Sequence, residues 1–179
     1  MPSHRRDSFI RISCAAALIL AVFGLRPALA GAEALTGAFP APEWRIGKSP
    51  GGLGVDCVKD SCGRPAHVLY LVGPASPSMA ERIRSGSLNR EWAEKVADSY
   101  RKSYEDKITI ISFMVHPGQV PSWSMVYECN CEGSTNYISS RTLAGAKRTT
   151  TFYSFARTPE AALENMNKMI VAVLGASSR

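Results

Sequence analysis

Beyond residue 30 the chain has no run of apolar residues approaching the roughly 20 that a membrane-spanning helix needs. Histidine is scarce, three in 179 residues at positions 4, 67 and 116. There is no His-Glu-x-x-His pair and no EF-hand loop, so neither metal-binding motif is available. The five cysteines contain no Cys-x-x-Cys spacing, which removes the thioredoxin-type redox motif. No internal repeat or low-complexity tract is present. An excess of positive charge is also missing once the first 30 residues are set aside. The whole chain holds 21 basic and 15 acidic residues, and the N-terminal stretch takes four basic residues and one acidic with it. That leaves 17 against 14, interspersed and not in blocks, so the basic footprint of a nucleic-acid binder is absent.

What the N-terminus does contain reads as an export signal. Arg5, Arg6 and Arg11 precede an apolar stretch from Ile12 to Leu25, Pro27 breaks it, and Ala28 and Ala30 supply the small residues needed before a cut at Gly31. Fourteen helical residues reach about 21 Å, short of the roughly 30 Å hydrocarbon core, which favours a cleaved signal over an anchor. Cys14 stands at the start of the apolar stretch, with Arg11 where a lipobox wants leucine, so lipoprotein processing is not expected. The expected organisation is a signal peptide at 1–30, a flexible leader at 31–42 and one domain at 43–179. The expected location is the periplasm or the exterior.

Four cysteines then remain, Cys57, Cys62, Cys129 and Cys131. An even number in an exported chain reads as two disulfides, whereas the spacings are unlike those of zinc sites. Three pairings are open. We favour the 57/62 segment stapled across to the 129/131 strand, each bridge closing roughly 70 residues and contributing about 4 kcal/mol. Cys57 with Cys62 in a small loop is the alternative.

Periodicity gives the elements. Glu43 to Ile46 is a short strand around Trp44, and residues 47–56, with Gly47, Pro50, Gly51, Gly52 and Gly54, read as a connecting loop without P-loop spacing. His67 to Val72 is a strand apolar on both faces. A helical region broken near Gly86 resumes after Ser87 as N-cap, with Leu88, Trp92, Val96, Tyr100 and Tyr104 on one stripe. Strands follow at 108–115, 122–131, 137–141 and 148–155. In the second of these, alternation puts Trp123, Met125, Tyr127, Cys129 and Cys131 on the buried face and Glu128 on the other. Thr158, Pro159 and Glu160 open a last helix whose apolar residues are Ala162, Leu163, Met166, Met169, Ile170, Val173 and Leu174. Met166 and Met169 sit at helical spacing and read as core, not as soft-metal ligands. The fold class is therefore α+β, an antiparallel sheet of five to six strands covered by two main helices and stapled by disulfides.

The string Thr149-Thr150-Thr151-Phe152-Tyr153-Ser154-Phe155, followed by Thr158-Pro159-Glu160-Ala161-Ala162-Leu163 and the apolar run Met169 to Leu174, resembles the PsbP/Mog1/DcrB-like superfamily of small exported or accessory domains. That resemblance, carried from roughly Ser122 onward, implies a curved antiparallel sheet with a closing helix. It also implies a tendency to bind partners, and it brings no catalytic site.

For chemistry the sequence offers His67, opening a strand, and His116, ahead of Pro117-Gly118, neither in a motif; both read first as structural. Glu128 and Glu132 flank the second cysteine pair and read as solvated. The expected function is an exported, non-catalytic binding or accessory protein that engages or inhibits a protein partner. No cofactor, no metal, no nucleic acid and no membrane span are expected. A rigid apolar patch near 47–56 or the Pro117–Pro121 turn would serve such a partner. The competing reading is an exported hydrolase with His67 or His116 as base.

Overall fold

The computed structural model describes residues 32–49, 52–104, 107–131 and 134–176. The expected signal peptide and the cleavage residues Ala28, Ala30 and Gly31 lie outside the described residues, as does Glu132.

Two antiparallel meanders make one sheet. The first is β1 (Trp44–Ser49), β2 (Gly52–Cys57) and β3 (His67–Pro74); the second is β4 (Lys107–His116), β5 (Ser122–Cys131), β6 (Ser134–Ala144) and β7 (Arg148–Ala156). The last strand returns to pair with β3 over eight residues, from His67 opposite Phe155 to Pro74 opposite Arg148. The seven described strands thus run β1-β2-β3-β7-β6-β5-β4. Between the meanders lie α2 (Pro77–Arg84) and α3 (Arg90–Tyr104), while α1 (Ala32–Ala38) precedes the sheet and α4 (Pro159–Ala176) closes the chain.

Side chains alternate across a strand, so residues paired across the sheet share a face. Val55, Val68, Tyr70 and Phe152 fall on one face and form a core with Leu35 of α1, Phe39 just after it, and Met166, Met169 and Val173 of α4. Ile110, Met125 and Ile138 fall on the other face and pack with Ala93 and Ala97 of α3. Ala80 and Ile83 of α2 join that second core beside Phe113, Val115 and Trp123. The Trp92 ring lies edge-on to Trp123 at 5.3 Å between centroids, with the Arg82 guanidinium 5.7 Å over it. Each helix pair therefore covers a different half of a different face. Among the described residues, α4 reaches only as far as β5 on the α1/α4 side, leaving Met114 of β4 exposed, and the first meander's side chains on the α2/α3 side are part-buried or exposed.

The α+β class holds, with one strand more than expected. The extra strand is β2, where the glycine-rich 47–56 stretch was read as a loop. A ladder needs only backbone donors and acceptors, which glycine has, and Leu53 and Val55 face the core between the glycines. Gly54 lies against β3, where a Cβ would meet the His67 ring at 3.2 Å and the Val68 carbonyl at 3.4 Å. The flexible leader expected at 31–42 is instead largely α1, whose Leu35, together with Phe39 just beyond the helix, is fully buried against α4. The Ser87 cap is also corrected: α3 is capped by Asn89, whose Oδ1 accepts from the Trp92 backbone N–H at 3.0 Å. Gly86, at φ 73°, makes the turn between α2 and α3. In α4, Thr158 caps as read, accepting from the Ala161 N–H at 3.2 Å. Leu163 and Leu174, however, face outward, because the core stripe runs through Ala162, Met166, Met169 and Val173.

Candidate functional site

Of the four cysteines, Cys57 at the end of β2 pairs with Cys62 in the following 3₁₀ turn, their Cα atoms 5.8 Å apart. The stapling across to the 129/131 strand is therefore overturned. The tight turn after β2 brings the two thiols together locally, before any long-range pairing is needed. A loop of this size contributes about 2 kcal/mol in the chain-entropy model, half of what the long bridges would supply. Cys129 is buried on the α3 side, as its alternation requires, and is itself disulfide-bonded.

The two histidines lie on opposite faces. His67 stands opposite Asp56 in the β2–β3 register, and its Nδ1 is hydrogen-bonded to Asp56 Oδ1 on the half of the sheet that α2 and α3 leave bare. The hydrogen bond from His67 holds the Asp56 carboxyl below its ordinary value; burial opposes this, and the charges of His67 and Arg45 add to it. Arg45 faces Asp56 across β1, and the Phe155 ring lies 6.4 Å from the imidazole on the other side. The lateral partners of the pair are thus Arg45 and Phe155, neither of which is a nucleophile.

His116 ends β4 on the α1/α4 face. Pairing across the sheet puts it opposite Ser122, and Met114 opposite Ser124, which in turn faces Arg141 of β6. His116 Nε2 lies 3.3 Å from Ser124 Oγ, and Arg141 Nη2 donates to Ser122 Oγ at 3.3 Å. Burial, with the charge of Arg141 second, pushes the imidazole below its ordinary value and keeps it neutral near pH 7. Ser122 and Ser124 are buried, and Arg141 Nε is buried without a hydrogen-bond partner among the described residues.

A base, an orienting carboxylate and a hydroxyl are what triad chemistry requires together. His67 has the carboxylate and His116 has the hydroxyl, and the sheet stands between them. The sequence at 47–51 is of Gly-x-Ser-x-Gly form, contrary to the expectation that no serine lies in such a string, but its Ser49 ends β1 and pairs with Gly52 of β2, a strand-to-strand setting. A nucleophile elbow needs a strand-to-helix turn, so that context is lacking. The Ser122, Ser124 and Arg141 cluster was missed in the sequence reading. Its only local signal is polar residues at period two beside a strand-end histidine, and Arg141 comes from a different strand.

Among the described residues, two surface hollows of about 460 Å³ each lie away from His67 and His116. One lies between α1 and β1 around Phe39, Trp44 and Ile46. The other lies between α2 and the β4–β5 and β6–β7 turns, lined by Pro77, Ala80, Val120, Pro121 and Ala144. Among the described residues no group of three or more His, Cys, Asp or Glu could hold a metal, and no helix is long and apolar enough to cross a membrane.

No family model and no curated protein matches the chain. Among solved structures it is similar to cyanobacterial PsbP (CyanoP) from Synechocystis sp. PCC 6803, with a TM-score of 0.49 and 9% identity over 75% of this chain and 81% of that one. It is also similar to LpqN, involved in cell envelope biogenesis of Mycobacterium tuberculosis, with a TM-score of 0.37 and 12% identity over 74% of this chain and 76% of that one. At such scores and identities these likenesses say nothing of activity.

Proposed function

We propose that the chain is an exported, non-catalytic accessory protein that engages a protein partner through the hollow beside the Pro117–Pro121 turn. The observation that carries this reading is the division of the catalytic groups between two sheet faces, set against a partly apolar hollow elsewhere. Val120 is 52% exposed at the rim of that hollow, while Pro121 is buried at its base. Such a rigid edge of strand turns suits a macromolecular contact better than a small substrate. Export is supported by the N-terminal charge and apolar pattern and by oxidised cysteines, which persist in oxidising compartments.

A photoreactive residue placed at Val120 tests this in the native compartment. The reading expects a discrete protein adduct that disappears when Ala80→Glu is added inside the hollow. No adduct, or one indifferent to the second change, would count against it.

The competing reading is an exported hydrolase, favoured by the Asp56–His67 pair. It expects His67→Asn to abolish a hydrolytic activity of the wild-type protein. Hydrolysis unchanged in a His67→Asn, His116→Asn double variant removes it.

A further inference from the structure

The geometry points to an oxyanion-binding site on the α1/α4 face of the outer strands, built from Arg141, Ser122, Ser124 and His116. The inference stands apart from the partner-binding reading, since it uses neither the hollow nor export.

Arg141 is a permanent charge, half-buried on β6, and it makes no ion pair among the described residues. A guanidinium carries five N–H donors in a fixed fork, and among the described residues Nη2 donates to Ser122 Oγ at 3.3 Å. Its Nε is buried without a hydrogen-bond partner among the described residues, a donor left unsatisfied beside the cluster. A half-buried cation without a carboxylate is costly unless an anion completes it.

The surroundings suit an anion. Ser122 and Ser124 are buried side chains that can each turn an O–H toward a ligand oxygen, and both lie on the same face as Arg141 by register. His116 adds a ring nitrogen beside Ser124. Met114, opposite Ser124, is 52% exposed, so the outer side of the cluster opens to solvent. Among the four side chains there is no carboxylate to repel an anion. A guanidinium fork with flanking hydroxyls is the donor set that binds a planar carboxylate or one face of a phosphate group. The ligand class is therefore a small oxyanion, or such a group on a larger solute.

The test is titration of the full chain with inorganic phosphate and, separately, with acetate, at constant ionic strength set with sodium chloride. Thermal midpoint and amide NMR shifts are followed together. Saturable binding of either anion is expected, with shifts centred on Ser122, Ser124 and Arg141. Phosphate alone would assign a phosphate group, and both anions would assign a general oxyanion. Arg141→Gln should weaken binding about tenfold or more, and Ser124→Ala by a smaller factor. Lys168→Gln, at an exposed ion pair on α4, should leave it unchanged. If Arg141→Gln fails to fold, Arg141→Lys and Ser124→Ala carry the test through the loss of the bidentate fork and of one hydroxyl. No saturable binding of either anion, or binding unaltered by the Arg141 and Ser124 changes, would overturn the site.

Discussion

Single side chains here depart from the usual rule that buried polar atoms are paired. Tyr70 is 0% exposed beneath α4, with its hydroxyl unpartnered among the described residues. Leaving a buried hydroxyl unsatisfied costs more than replacing it with an apolar group of the same shape. Tyr70→Phe is therefore expected to raise stability by about 1 kcal/mol in urea denaturation. A loss of that size would mean that the hydroxyl has a partner. His116 supplies a pH-dependent counterpart. Its folded-state value lies below the ordinary 6.5, so the unfolded chain binds more protons as pH falls through that value. Stability should decline from about pH 7 downward through the unfolded value and level off once the folded-state value is passed. His116→Asn should flatten that slope, measured as the denaturation midpoint between pH 7.5 and 5. Asp56 acts lower on the scale: its depressed value adds stability that is complete above about pH 4 and lost in stronger acid.

The elements show which signals are written locally and which are not. The closing helix α4 was legible in full at its N-terminus, because Thr158, Pro159 and Glu160 act through contacts within four residues. Strand β3 was legible as a run apolar on both faces and β7 shows period-two burial, whereas β5 also buries Ser122, Ser124 and Val126 on the face opposite its predicted core, although Cys129 fell on the face assigned to it. Three readings failed for a shared reason. Gly52 and Gly54 lie in a strand because β1 and β3 supply its ladder partners, and residues 32–38 form α1 because α4 supplies a groove for Leu35 and the following Phe39. Leu163 and Leu174 look like core in sequence, but the sheet meets only the neighbouring stripe of α4. In each case tertiary partners far along the chain decide. The candidate site was half legible: His67 and His116 were picked out, while Asp56, Ser122, Ser124 and Arg141 are brought to them only by cross-strand register. The account of α1 is checked by Phe39→Ala, expected to cost about 3–4 kcal/mol in chemical denaturation, as for a buried aromatic. A cost under about 1 kcal/mol would return this segment to the status of a flexible leader.

At the scale of the molecule, two meanders share one sheet through the β3–β7 pairing, and each helix pair shields half of one face. Among the described residues, the two less covered half-faces lie on opposite sides, each carrying one histidine with a different partner. His67 with Asp56 lies on one side of the sheet and His116 with Ser124 on the other, and Val120 is exposed in the β4–β5 turn. The bridge between Cys57 and Cys62 ties the end of β2 to the turn that leads into β3. A protein held by such a bridge is suited to an oxidising compartment, which is the premise of the accessory reading.

The measurement that tests this premise most directly is the intact mass of the protein recovered from its native compartment, alkylated without reduction. The account predicts a chain beginning at Gly31 that takes up no alkylating agent at Cys57, Cys62, Cys129 or Cys131. A retained N-terminus, or alkylation at Cys57 and Cys62, would contradict it.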